Sequence, residues 1–251
     1  MTLHYQLDGP QDAPVLVLSN SMGTTTELWQ PQMAALSARF RILRYDTHGH
    51  GKTRKRGSVS LAQLGEDVIG LLDRLNIEKA FFCGISVGGL TGLWLARFAP
   101  DRFYALAVAN TAAKIGEPAG WLDRARAVRE KGLGDVAAGT AGRWFTPDFC
   151  QRSPETVAAL IETLAQQDPG GYAEGCEALA HADLRAEVGA IRAPLLVIAG
   201  ERDPVTTVAD ADFLHLQVPG SREVILPASH LSNVEAPAAF SAALLDFFKE
   251  Y

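Results

Sequence analysis

Ser86 stands between two glycines, in Gly84-Ile85-Ser86-Val87-Gly88. A serine hydroxyl is a weak nucleophile until a base takes its proton, and that base is usually a histidine oriented by a carboxylate. Beyond residue 187 the chain has two histidines, His215 and His230. His215 falls inside Asp212-Phe213-Leu214-His215-Leu216, which reads as a helix between strands and assigns it a structural role. His230 falls in Pro227-Ala228-Ser229-His230-Leu231-Ser232, a loop between the last strand and the last helix. That is where the mechanism needs it. For the acid, Gly200-Glu201-Arg202-Asp203-Pro204 directly follows an apolar strand. Asp203 is preferred over Glu201 because Pro204 biases it towards an extended backbone. Asp210 and Asp212 belong to the following helix. Together Ser86, His230 and Asp203 spell acyl transfer; alone, the glycine-flanked serine is also readable as a strand-to-helix turn with Ser86 as helix N-cap.

These side chains need a frame. The apolar run Ala80 to Ile85 reads as a strand and Leu90 to Phe98 as the helix after it, with Ser86 on the sharp turn between them. Such a turn strains the serine backbone and tolerates little bulk nearby, hence Gly84 and Gly88. It also aims the first helix amides, beginning with Val87, at whatever the hydroxyl attacks. A second donor, the amide of Met22, is expected from the loop after the strand Val15 to Ser19.

Further strands are read at Leu3 to Leu7, Phe40 to Tyr45, Tyr104 to Ala109, Leu195 to Ala199 and Glu223 to Leu226. Helices are read at Leu28 to Ala38, Leu61 to Leu75, Val205 to Leu216 and Val234 to Phe248. Short apolar strands alternating with amphipathic helices predict an α/β class with a mostly parallel, doubly wound sheet. Between Thr111 and Glu187 the alternation stops. Helical segments at Trp121 to Lys131, Asp135 to Trp144, Pro154 to Gln167 and Gly171 to His181 predict an inserted cap. The expected organisation is a core from 1–111 and 188–251, with a helical cap over 112–187.

With 251 residues, a net charge of −6 and a pI near 5.5, the chain lacks the clustered positive charge that nucleic-acid binding needs. The basic stretch Lys52-Thr53-Arg54-Lys55-Arg56 reads as a solvated loop. Three widely spaced cysteines form neither a disulfide framework nor a ligand cluster. His4, His48, His50 and His181 show no metal-ligand spacing, so no metal and no cofactor is expected. The start Met1-Thr2-Leu3-His4-Tyr5 does not read as a signal peptide, and no apolar run approaches a membrane span. The expectation is a cytoplasmic protein without membrane or nucleic-acid partners; the oligomeric state is left open.

The elbow Gly84-Ile85-Ser86-Val87-Gly88, the acid turn Gly200-Glu201-Arg202-Asp203 and the loop Ser229-His230 resemble the α/β-hydrolase family over essentially the whole chain. Asp46-Thr47-His48-Gly49-His50-Gly51 resembles that family's D-x-R-G-x-G element, with His48 where arginine is usual. Three further stretches are similar to the 3-oxoadipate enol-lactonases of aromatic catabolism (the β-ketoadipate pathway). They are Asn20-Ser21-Met22-Gly23-Thr24 with Trp29-Gln30-Pro31-Gln32, Arg143-Trp144-Phe145-Thr146-Pro147, and Ser229-His230-Leu231-Ser232-Asn233-Val234-Glu235.

This resemblance implies a small anionic lactone as substrate. A local cation or a set of amide donors should then face it; Arg143 and Lys114 are candidates for the cation, each also readable as a solvated surface charge, and Trp121 and Trp144 could wall the pocket or pack the cap on the core. Serine at position 86 excludes the haloalkane dehalogenases and epoxide hydrolases of the same fold, which need a carboxylate there. A carboxylesterase, a carbon–carbon hydrolase, a perhydrolase and a ligand receptor on a hydrolase scaffold remain as alternatives.

Overall fold

The structure, a computed structural model, describes residues 3–54 and 57–251. Met1-Thr2 and the Lys55-Arg56 end of the basic stretch lie outside the described residues. Seven strands form one sheet in the order β1-β3-β2-β4-β5-β6-β7. They are β1 (Tyr5–Asp8), β2 (Val15–Ser19), β3 (Arg41–Tyr45), β4 (Ala80–Ile85), β5 (Phe103–Ala109), β6 (Leu195–Gly200) and β7 (Arg222–Leu226). Only β1 runs antiparallel, pairing Tyr5 with Tyr45 at the edge. The others are parallel, so the loops after β2, β4, β5, β6 and β7 all open on one sheet edge. Every residue of β2, β4 and β6 is buried, as their unbroken apolar runs require of strands covered on both faces.

Helices α1 (Gln30–Leu36), α2 (Leu61–Arg74), α3 (Val87–Phe98), α10 (Val208–Gln217), α11 (Ser232–Glu235) and α12 (Pro237–Phe248) accompany the sheet. α2 buries Leu61, Leu64, Val68, Leu71 and Leu72, and Ser60 caps it by accepting from the Gln63 amide at 3.2 Å. Between β5 and β6 lie α4 (Pro118–Lys131), α5 (Gly134–Ala138), α6 (Ala141–Trp144), α7 (Pro147–Arg152), α8 (Pro154–Ala165) and α9 (Pro169–His181). α4 packs along α9. This helical layer meets the core closely. A Cβ on Gly49 would fall 2.5 Å from the Gly171 Cα, and Gly51 donates its amide to Gln167 Oε1 at 2.8 Å. His48 Nε2 meets Glu174 Oε2 of α9 at 2.7 Å.

Some boundaries differ from the sequence reading, each for a local reason. The stretch 135–144 breaks at Gly139-Thr140, where the Thr140 hydroxyl donates back to Val136 O at 2.6 Å. The last helix is interrupted at Ala236, because Pro237 disfavours helical backbone in the residue before it. α10 starts at Val208 rather than Val205, since the amides of Val205 and Thr206 turn towards Asp203 instead. α7 was absent from the reading; Thr146 caps it by accepting from the Phe149 amide at 3.2 Å.

Candidate active site

Ser86 sits between β4 and α3 with φ 58° and ψ −119°, a region costly for any residue with a side chain. The glycines explain how it is held. A Cβ on Gly84 would lie 2.1 Å from Gly88 O, and one on Gly88 would lie 2.3 Å from Ser19 O. The turn is therefore packed backbone to backbone against itself and against β2. Its amide donates to Ala109 O at 2.9 Å, and the Thr111 hydroxyl donates to Ser86 O at 2.8 Å.

The three loops converge. His230 Nε2 lies 2.9 Å from Ser86 Oγ, and His230 Nδ1 lies 2.8 Å from Asp203 Oδ2. All three residues are buried. Glu201, the competing carboxylate, is exposed, and His215, on α10, bonds Ser221 Oγ away from this centre. Asp203 is surrounded by donors: Asn110 Nδ2 at 3.0 Å and Thr206 Oγ1 at 2.9 Å on Oδ2, with the Val205 amide at 2.8 Å on Oδ1. Burial alone would raise this carboxyl. The hydrogen bond and charge of His230, followed by the Asn110 and Val205 donors, outweigh it and hold Asp203 below the usual carboxylate value. An ionised Asp203 fixes the imidazole tautomer with Nε2 facing the serine.

The histidine loop is tied on both sides of His230. Asn110 Nδ2 donates to Ser229 O at 3.1 Å, and Ser229 N donates to Glu235 Oε2 at 3.0 Å. Leu231 N donates to Trp144 O, in the helical layer, at 3.0 Å.

For the electrophile's oxygen, α3 begins at Val87, and the first amides of a helix have no intrahelical acceptor. Met22 lies in a turn closed by Thr24 N and Thr24 Oγ1, which donate to Ser21 O at 3.3 and 2.7 Å, with Gly23 at φ 83°. Among the described residues the Met22 amide has no acceptor. Asn20 braces this loop from below, accepting from Trp29 Nε1 at 2.8 Å and donating to Tyr45 O at 2.9 Å.

A cavity of about 230 Å³ joins Ser86, His230, Met22 and Ser21 to Trp121, Trp144, Tyr172, Arg124 and Arg143 of the helical layer. Both guanidinium groups are half-buried. Among the described residues no carboxylate pairs with either. Burial first, and then the neighbouring charge of Arg124, lower Arg143 from the ordinary arginine value. Two like charges converging without a counter-ion make a place for an anion. Arg124 also stacks on Trp121, 4.9 Å from the ring centroid. Lys114 is instead paired with Glu117 at 2.8 Å and does not line the cavity.

Sequence reasoning missed Arg124, Asn110, Thr206 and Glu235. Arg124 follows Trp121 by one helical turn, so the tryptophan was the available signal. Asn110 ends β5 at the same sheet edge as Ser86, a place where polar residues are candidates. Among the described residues no cluster of histidine, cysteine, aspartate and glutamate could hold a metal ion. Among them, too, no helix is long and apolar enough to cross a membrane.

A family model described as the alpha/beta hydrolase fold matches residues 14–237. The chain is 50% identical over 252 residues to 3-oxoadipate enol-lactonase 2 of Acinetobacter baylyi, covering 100% of this chain and 94% of the relative. It is 46% identical to 3-oxoadipate enol-lactonase 1 of the same organism, covering 99% and 93%. The crystal structure of the enol-lactonase from Burkholderia xenovorans LB400 superposes with a TM-score of 0.96 at 45% identity, covering 98% of this chain and 96% of that one.

Proposed function

The chain belongs to the α/β-hydrolase family, and we propose that it hydrolyses 3-oxoadipate enol-lactone to 3-oxoadipate in the catabolism of aromatic compounds. The observation that carries this reading is the Ser86–His230–Asp203 relay, with contacts of 2.9 and 2.8 Å, opening on a cavity lined by two guanidinium groups that have no carboxylate partner among the described residues. The near-full-length likeness to proteins named enol-lactonases gives the substrate class.

In this mechanism His230 takes the proton of Ser86 as its oxygen attacks the lactone carbonyl. Asp203 stabilises the imidazolium that results. The amides of Met22 and Val87 hold the tetrahedral oxyanion, each contributing roughly 3 kcal/mol in comparable sites. Collapse breaks the ring C–O bond and expels an enolate, a better leaving group than an alkoxide. The enolate takes a proton and becomes the ketone. Water then attacks the acyl-enzyme with His230 as base, releasing the second carboxylate and restoring Ser86.

The free carboxylate of the lactone is read by Arg143 and Arg124, which offsets the unfavourable pull of a net charge of −6. Trp121 and Trp144 wall the ring. Residues 112–187 serve as the cap that closes the site over residues 1–111 and 188–251. A cytoplasmic setting fits the three free cysteines.

The substrate assignment is tested by assaying the purified protein on the lactone beside 4-nitrophenyl acetate. The lactone should be preferred in kcat/KM by at least about a hundredfold, because a site built to bind a polar group strongly rejects ligands lacking it. Ester turnover without lactone turnover would leave a carboxylesterase and remove the lactonase.

A further inference from the structure

Glu235 is a buried carboxylate, 9% exposed, that the relay itself does not use. It lies at the end of α11, five residues after His230, and its two oxygens bridge two parts of the molecule. Oε2 accepts from Ser229 N at 3.0 Å and from Thr146 N at 3.3 Å; Oε1 accepts from the Thr146 hydroxyl. Thr146 belongs to the helical layer, two residues after Trp144 and three after Arg143, both of which line the cavity. Leu231 N reaches the same segment at Trp144 O, at 3.0 Å, and the Ser229 hydroxyl lies 3.4 Å from Arg143 O. His230 stands in neither helix nor strand, so its neighbours' bonds set its place. The amide on each side of it, Ser229 and Leu231, is fixed by Glu235 or by the cap.

We propose that Thr146 and Glu235 form a latch through which the docked cap holds the His230 imidazole in line with Ser86. They are positioning residues, and the inference rests on the reading of His230 as general base. A base must be held within about 0.5 Å of its working geometry, and a loop gains that precision only from bonds such as these. Removing the Thr146 hydroxyl leaves Glu235 Oε1 buried without a donor, and the loop it steadies must shift to find one.

The test is hydrolysis of 4-nitrophenyl acetate by the wild type, Thr146→Val and Thr146→Ser, with Thr146→Val repeated in a His230→Ala background. The latch predicts that valine lowers kcat by about tenfold with KM within about twofold, and that serine restores kcat to within about threefold. In the His230→Ala background valine should change the residual rate by less than about twofold, because its effect passes through the imidazole. Equal losses in both backgrounds would make the contact a brace of the fold and overturn the proposal. So would a valine variant within about twofold of the wild type. His230→Ala with wild-type activity would instead overturn the general-base reading. Should the valine variant not fold, Thr146→Ala removes the same hydroxyl without the added bulk, and the same predictions hold for it.

Discussion

Asn110 donates to the same oxygen of Asp203 that faces the imidazole, Nδ2 to Oδ2 at 3.0 Å. The same amide nitrogen holds Ser229 O at 3.1 Å, and Asn110 Oδ1 accepts from Ser232 Oγ at 2.5 Å. Asn110 thus ties the acid turn to the histidine loop, from a backbone at φ 45° that asparagine tolerates better than most residues. Asn110→Ala should lower kcat by about ten- to a hundredfold while KM moves little, as for a loss felt mainly in the transition state. Asn110→Asp should be worse, since it sets a second carboxylate against Asp203. Steady-state kinetics on one ester substrate checks both.

The depressed Asp203 carboxyl makes a prediction about stability. Its native value lies below that of a free aspartate, so the unfolded chain binds the proton more readily than the native one. The stabilisation is therefore fully present above the unfolded value, near pH 4, and is lost as pH falls through the lower native value. Urea melts of the wild type and Asp203→Asn should differ by a constant amount from pH 7 to about pH 5 and converge below about pH 4. A difference that grows on acidification would contradict the assignment.

The elbow leaves no room for a methyl group. A Cβ on Gly88 meets the backbone oxygens of Ser19 and Asn20 at 2.3 and 2.8 Å, and backbone cannot step aside as a side chain can. Gly88→Ala should cost about 1–3 kcal/mol in urea unfolding, and activity should fall as the serine and the Val87 amide shift. Unchanged melting with full activity would mean that the contact is looser than described.

Arg143 and Arg124 should separate charge recognition from chemistry. Arg143→Met and Arg124→Met should each raise KM about tenfold or more for a substrate carrying a carboxylate, as expected on losing a charge-assisted hydrogen bond. On neutral 4-nitrophenyl acetate both variants should stay within about twofold of the wild type. Parallel losses on the two substrates would assign the arginines to packing of the cap.

What could be read from the chain follows from where the information lies. The parallel sheet was legible because buried strands such as Val15–Ser19 and Ala80–Ile85 are unbroken apolar runs between turn signals. The meeting of Ser86, His230 and Asp203 was legible because each sits at a strand end in a recognisable local setting. Asn110 and Glu235 were not, since their meaning depends on partners 93 and 89 residues away. The stretches that carried the enol-lactonase resemblance turn out to grip one another. Trp29 holds Asn20, Gln32 Nε2 donates to Asn233 O at 2.6 Å, and Thr146 meets Glu235. Helix breaks at Gly139 and Ala236 were missed because periodicity smooths over a single irregular residue.

The central claim is that Ser86 opens an enol-lactone. The most direct measurement is the rate of 3-oxoadipate enol-lactone hydrolysis by the wild type and by Ser86→Ala at equal concentration. Fast turnover by the wild type, reduced at least about a thousandfold by the substitution, is the expected result. A Ser86→Ala variant within about tenfold of the wild type would contradict it, as would a wild type that leaves the lactone untouched.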